Sequence, residues 1–142
     1  VTTLTVEIIA PEATLWRGAA TALVAQSTEG NFTILAQHTA MAGELVSSVV
    51  RVESDDGEIA FAVHGGSFLV GRGDVEGETL AAVLAGVVER GSDIDVARAQ
   101  VAKEAAQSRL AAAKGEDGAG ELIAAAALER AQLRLRVATK QY

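Results

Sequence analysis

The spacing of apolar residues changes once along this chain, and that change divides it in two. Up to about Val88 the period is two. In Thr3-Leu4-Thr5-Val6-Glu7-Ile8, every second residue is apolar, which sets Leu4, Val6 and Ile8 on one face of a strand. Short runs of the same kind follow at 22–25, 32–35, 48–52, 59–63, 67–70 and 80–84. Turn-forming residues separate them: Glu29-Gly30-Asn31, Asp55-Asp56-Gly57 and Gly71-Arg72-Gly73-Asp74. Asp56-Gly57 between two apolar runs predicts a hairpin with a type I′ turn, which needs positive φ. Many short strands at this spacing predict a β-sandwich or barrel of about ten strands.

From Ser92 onward, Ala, Glu, Gln, Arg and Leu take over, and these are helix formers. Ser92 or Asp93 is placed to cap a first helix, with Asp95 in its first turn, where the helix dipole favours negative charge. That helix is expected to run to about Ala113. The breaker Gly115-Glu116-Asp117-Gly118-Ala119-Gly120 follows, then a second helix from about Glu121 to Ala138. A short connection between two helices predicts an antiparallel hairpin. The expected organisation is therefore β + α, with a sandwich or barrel over residues 1–90 and a helical hairpin over 91–142.

The seam expected between the helices is mostly alanine. Val96, Ala99, Ala102, Ala106, Leu110 and Ala113 recur at steps of three or four on the first helix. Ile123, Ala127, Ala131, Leu135 and Ala138 do the same on the second. Such a seam lets helices approach closely but removes little area from water, at about 25 cal/mol per Å². It suits a small ordered hairpin or one whose docking is weak enough to be switched.

Composition narrows the function. A chain of 142 residues is long enough for one real core. With aromatics at 4%, that core must be aliphatic. A net charge of −7 argues against a nucleic-acid binder, which would carry a basic face. There is no cysteine, so disulfides and thiolate metal sites are excluded. No apolar run approaches the roughly 18 residues that span a bilayer, so no direct membrane insertion is expected. The N-terminus lacks a signal-peptide pattern, which predicts a mature, soluble chain. Arginine outnumbers lysine nine to three, a bias of GC-rich genomes.

The residues do not assemble a catalytic motif. Lys103, Lys114 and Lys140 stand outside any phosphate-binding Gly-x-x-x-x-Gly-Lys-Ser/Thr loop. There is no Gly-x-Ser-x-Gly elbow, and His38 and His64 lack metal-ligand spacing. His64-Gly65-Gly66 has the look of an oxyanion loop, yet it has no nucleophile to serve. A glycine pair at a strand bend explains it.

Four stretches, in order, carry a family resemblance. The first is Leu4-Thr5-Val6-Glu7-Ile8-Ile9-Ala10-Pro11-Glu12 with Leu15-Trp16-Arg17-Gly18. The second runs from Thr28-Glu29-Gly30-Asn31-Phe32 through Ile34-Leu35 to His38-Thr39-Ala40. The third is Phe61-Ala62-Val63-His64-Gly65-Gly66-Ser67-Phe68-Leu69-Val70, and the fourth Ile94-Asp95-Val96-Ala97-Arg98-Ala99. Together they resemble the epsilon subunits of bacterial F-type ATP synthases, in particular actinobacterial-like members. The chain departs from the pattern at Thr33, where the family often has Gly, and at Ala36 and Ala40, where it often has Pro. Without those prolines the loop is less stiff.

The resemblance implies a non-catalytic part of the central stalk of a proton-translocating synthase. It would sit peripherally on the cytoplasmic side of a bacterial membrane. The sandwich would dock on the gamma subunit, and Glu29, Gly30, Asn31 and His38 would meet the c-ring. The hairpin would inhibit ATP hydrolysis by reaching the alpha/beta catalytic hexamer. Residues 129–142 support this with Arg130, Arg134, Arg136 and Lys140 against Glu129, a net of +3 on an acidic chain. A positive charge also suits a helix C-terminus on its own account.

No cofactor is required, but the resemblance implies ATP as a regulatory ligand. It would be held by Glu89, Ile94, Asp95, Arg98, Ala99, Arg130 and Arg134. Spacing of four puts Arg130 and Arg134 on one helical face, and guanidinium forks suit phosphate oxygens. Asp95 and Arg98 could instead pair with each other. The alternative function is a free-standing ATP-sensing module built on the same Asp95, Arg98, Arg130 and Arg134. A small hydrolase would need a nucleophile–base pair that the sequence does not offer.

Overall fold

A computed structural model describes residues 2–115 and 118–142. The chain divides into two units, 1–90 and 91–142. The first contains eight strands: β1 Thr3–Ile9, β2 Thr14–Ala20, β3 Ala22–Ser27, β4 Gly30–Ile34, β5 Met41–Ser54, β6 Gly57–Arg72, β7 Glu78–Leu84 and β8 Val88–Arg90. They form one mixed sheet in the order β2-β1-β7-β6-β5-β3-β4, with β8 beside β6. Among the described residues, only β1 and β7 pair in parallel.

The count is eight rather than ten because two strands are long. β5 and β6 keep one register from Met41↔Val70 to Ser54↔Gly57, skipping Val46 and Gly65. Within β6, Gly65 and Gly66 have φ of 80° and 152°. They bend the strand without ending it. On one side of this bend Phe61 and Val63 point into the core, and on the other Phe68 and Val70 do. The alternation therefore slips by one residue, and the strand changes neighbour from β8 to β7. A side chain at Gly66 would strike the Leu84 carbonyl oxygen and come within 2.9 Å of Ala85 Cβ. The sheet folds over at this corner, so its inner sides close on one core.

That core is aliphatic. Leu4, Val6 and Ile8 of β1 are buried on one face, as their alternation predicts. They join Leu23, Ile34, Leu45, Val50, Val52, Phe61, Val63, Phe68, Val70 and Val83. Phe32 lies against Phe68 with ring centroids 4.5 Å apart.

Two hairpin turns share one construction. Ser27 faces Gly30 across Thr28-Glu29, and Ser54 faces Gly57 across Asp55-Asp56. In each, the serine hydroxyl donates to the glycine carbonyl at 3.1 Å. Positive φ falls on Gly57 (123°) and on neither aspartate. The turn is thus not type I′, which requires positive φ at both central residues. Pro11-Glu12 forms the tight β1–β2 turn, closed by reciprocal Ala10 and Ala13 main-chain bonds of 2.9 and 3.2 Å.

The second unit holds a 3₁₀ turn at Gly91–Asp93, then α1 Val96–Ala113 and α2 Ala119–Ala138, which pack along each other as a hairpin. Of the expected breaker, Glu116 and Asp117 lie outside the described residues. The cap of α1 is Asp95, not Ser92 or Asp93, which fall in or beside the 3₁₀ turn. Asp95 is extended (φ −78°, ψ 103°), and its carboxylate accepts from the Arg98 main-chain N–H at 3.0 Å. α2 ends with Lys140 at φ 57°. Gln141 N–H donates to Arg136 O at 2.8 Å and Lys140 N–H to Val137 O at 3.3 Å, a Schellman closure with lysine where glycine is usual.

The hairpin seam also differs from its expected form. Ala99 and Ala106 are buried on α1, and Ala124 and Ala131 on α2, each pair two turns apart. Val96 and Ile123 are 44% and 61% exposed. Leu133 and Val137 are buried as well, on the side of α2 away from Ala124 and Ala131.

Candidate functional site

Two groups of residues matter here, one at a loop end of the sandwich and one in and around the hairpin. At the loop end, Glu29, Gly30 and Asn31 form the exposed turn into β4. The Ser27 hydroxyl accepts from Glu29 N–H at 3.1 Å and holds the turn's shape. Thr33, where a glycine was the pattern, extends β4 by pairing with Val24.

The segment after β4 doubles back as a tight loop. Gln37 takes φ 70°, an unusual conformation for a residue with a side chain. Its N–H donates to Thr79 Oγ1 at 2.8 Å, tying the loop to the start of β7. His38 is half-buried, and its Nδ1–H donates to the Thr39 carbonyl at 2.8 Å. The imidazole is thereby oriented by the backbone beside it.

His38 lines an open cavity of about 660 Å³ between 37–40 and 71–79. Arg72, Asp74, Glu76 and Glu78 contribute its charged walls. Glu29, Gly30 and Asn31 do not line it, and β4 separates their turn from the His38 loop. Glu78 holds the far rim in place: Thr5 Oγ1 donates to Oε2 at 2.8 Å and Asp74 N–H to Oε1 at 2.9 Å. The Thr5 bond, with help from Asp74 N–H and the Arg17 charge, keeps this carboxyl below its ordinary range against the opposing effect of desolvation. Arg17 itself pairs with Glu7 on the neighbouring strand.

An apolar surface not apparent in the sequence lies on the outer side of β1, β7 and β6. Cross-strand register sets Ile9 beside Leu84, and Ala82 beside Leu69. Leu69 is 56% and Leu84 41% exposed. Strand alternation alone marks which of these residues point outward, but not which strands stand side by side.

Of the residues associated with ATP, Arg130 and Arg134 lie one turn apart on α2. Asp95 is engaged as the cap of α1, through the Arg98 main chain rather than its guanidinium. Ala99 is buried in the hairpin, and Ile94 N–H donates to Gly91 O at 3.3 Å. Glu89 stands on β8, where its carboxylate accepts from His64 Nε2 at 2.9 Å. Among the described residues no helix is long and apolar enough to cross a membrane, and no group of three His, Cys, Asp or Glu converges as metal ligands.

Residues 3–89 match a family described as ATP synthase, Delta/Epsilon chain, beta-sandwich domain, and residues 92–139 its long alpha-helix domain. The chain belongs to the ATP synthase delta/epsilon family. Among curated members, it is 36% identical over 135 residues to the ATP synthase epsilon chain of Synechococcus elongatus, covering 95% of this chain and 94% of that one. It is 39% identical over 126 residues to that of Nocardia farcinica, covering 87% and 94%. The fold also matches a chain in the cryo-EM structure of the Euglena gracilis mitochondrial ATP synthase. The TM-score is 0.74 at 17% identity, over 93% of this chain and 79% of that one. The two matches fall in the order sandwich, then helices, as the strands and helices do here.

Proposed function

We propose that the chain is the epsilon subunit of a bacterial F-type ATP synthase, a non-catalytic piece of the central stalk that works by contact. The observation that carries this reading is the match of both units, in order and over nearly the full length, to epsilon chains. A free-standing nucleotide sensor would give no reason for the sandwich to follow the same family.

In this reading, the sandwich docks on gamma, and the outward Leu69 and Leu84 offer apolar surface for it. The Glu29-Gly30-Asn31 turn and His38 meet the c-ring, so torque passes between ring and shaft. The subunit sits peripherally on the cytoplasmic face of a bacterial membrane, in a proton-driven motor. The hairpin restrains hydrolysis by reaching the alpha/beta hexamer. Its basic stretch 129–142 supplies the orientation, since long-range charge complementarity steers approach more than it adds affinity.

Charge reversal at Glu29 combined with His38→Ala tests the ring contact. In reconstituted enzyme, ATP-driven proton pumping should fall relative to hydrolysis; undiminished pumping would remove these residues from the coupling surface. ATP as a regulatory ligand is a further part of the proposal, supported by the Arg130–Arg134 spacing. Calorimetric titration with ATP should show saturable heat that Arg130→Ala abolishes, and a silent titration at millimolar nucleotide ends that part.

A further inference from the structure

The turn that leads to His38 is built from residues unsuited to its shape. His38 N–H donates to Leu35 O at 3.2 Å, so residues 35–38 close as a β-turn. Positive φ falls on Gln37 (70°) and not on Ala36. That is the pattern of a type II turn, which favours proline at its first central position and glycine at its second. Alanine and glutamine stand there instead. A type I turn would suit both, since its central residues keep negative φ. The two shapes differ mainly by a half-rotation of the peptide between the central residues. The first residue's ψ goes from about 120° to about −30°, and the second's φ from about +80° to about −90°. The N–H on that peptide is the one from Gln37, and it donates to Thr79 Oγ1 at 2.8 Å. A flip would turn it away from that oxygen. Thr79 cannot follow, because it is 6% exposed and stands in register between Leu4 of β1 and Arg72 of β6.

We infer that Thr79 is a positioning residue: its hydroxyl selects the type II form of the 35–38 turn and so sets how the chain presents His38 at the cavity between 37–40 and 71–79. From that turn the orientation passes directly to the ring, since His38 Nδ1 is bonded to the Thr39 carbonyl next to it. The hydroxyl and the amide it holds are 42 residues apart in sequence, so no local pattern reports the pair. The functional consequence rests on the reading that His38 meets the c-ring. On that reading, a flipped turn presents the imidazole differently and weakens coupling.

Nuclear magnetic resonance on the full-length chain reads the turn directly. With ψ extended at Ala36, its Hα lies close to the Gln37 amide proton and the Overhauser cross-peak between them is strong; the flip separates the two. Thr79→Val keeps the branched shape and removes the hydroxyl. It should cut that cross-peak to about half or less as type I is populated, while the amide signals of Val6 and Val83 in the core stay in place. Thr79→Ser should keep the cross-peak. Adding Gln37→Gly to Thr79→Val should restore it, because glycine takes positive φ without help. In reconstituted synthase, ATP-driven proton pumping relative to hydrolysis should be lowered, kept and restored in the same three variants. An undiminished cross-peak in Thr79→Val overturns the positioning role and leaves the ring contact of His38 standing. Equal losses in Thr79→Ser and Thr79→Val overturn it as well. A diminished cross-peak with undiminished pumping instead removes this loop from the coupling surface. If Thr79→Val does not fold, Thr79→Ala removes the same acceptor with less bulk and decides in its place.

Discussion

The sandwich and the hairpin are built from the same aliphatic vocabulary but bury it differently. In the sandwich, buried Leu, Ile, Val and Phe side chains from β1, β3, β4, β5, β6 and β7 converge, and eleven large residues are under 2% exposed, against one, Leu133, among the described residues of the hairpin. In the hairpin, the seam is Ala99 and Ala106 against a helix that contributes Ala124 and Ala131, while Val101, Leu122 and Ile123 stay 61–73% exposed. Buried area scales with side-chain size, so the first unit is held by packing and the second by close approach with little area lost from water.

That contrast can be broken in several places. The largest effect is expected from Phe61→Ala, which empties a position only 1% exposed. Unfolding free energy from urea titration should fall by about 3–5 kcal/mol; a loss under about 1 kcal/mol would mean the body is not the packed unit described. Next, Ala106→Leu forces a large side chain into the hairpin where no surface is free. It should cost about 1–3 kcal/mol and reduce the far-ultraviolet helical signal at elevated temperature. If it stabilises the hairpin instead, the helices are not in close contact at that level.

A smaller change sharpens the account of the helix start. Asp95→Ala removes the cap that accepts from Arg98 N–H and should cost about 1 kcal/mol, with Asp95→Asn recovering most of it. Equal losses in both variants would show that the carboxylate does something other than capping.

The smallest effect depends on pH. The Glu78 carboxyl is held below its ordinary value by Thr5, so its contribution is complete at neutral pH. It is lost as pH falls from about 4.5 through the lower folded-state value. Thr5→Val should therefore separate the urea midpoints most at pH 7, and the gap should close on acidification. A gap that widens in acid would reverse the sign.

How much of this was legible beforehand depends on whether a pattern had competitors. Leu4, Val6 and Ile8 alternate cleanly, and the strand they predict is present with that face buried. Gly65-Gly66 reads as a strand bend, and it is one: β6 holds the same register with β5 on both sides of it. Strand β2 leaves no signal in the sequence because, as a sheet edge, it buries little and shows no apolar alternation. In α2, Leu122 through Leu128 is uninterrupted apolar sequence. Periodicity cannot choose a face there, and Ala124 rather than Ile123 is the buried residue. The cap is ambiguous in sequence for a similar reason: Ser92, Asp93 and Asp95 all have capping side chains, and the 3₁₀ turn at 91–93 selects the last. The grouping of His38 with the 71–79 segment is a matter of tertiary folding, and no local signal reports it.

The central claim is that the chain acts by joining the rotor. Its most direct test is mixing the purified chain with the gamma subunit of the same synthase and measuring the mass of the product by analytical ultracentrifugation. The account predicts a one-to-one complex at micromolar concentration, weakened by Leu69→Glu on the outward sheet face. Two separate species at every concentration, with gamma shown to be folded, would contradict it.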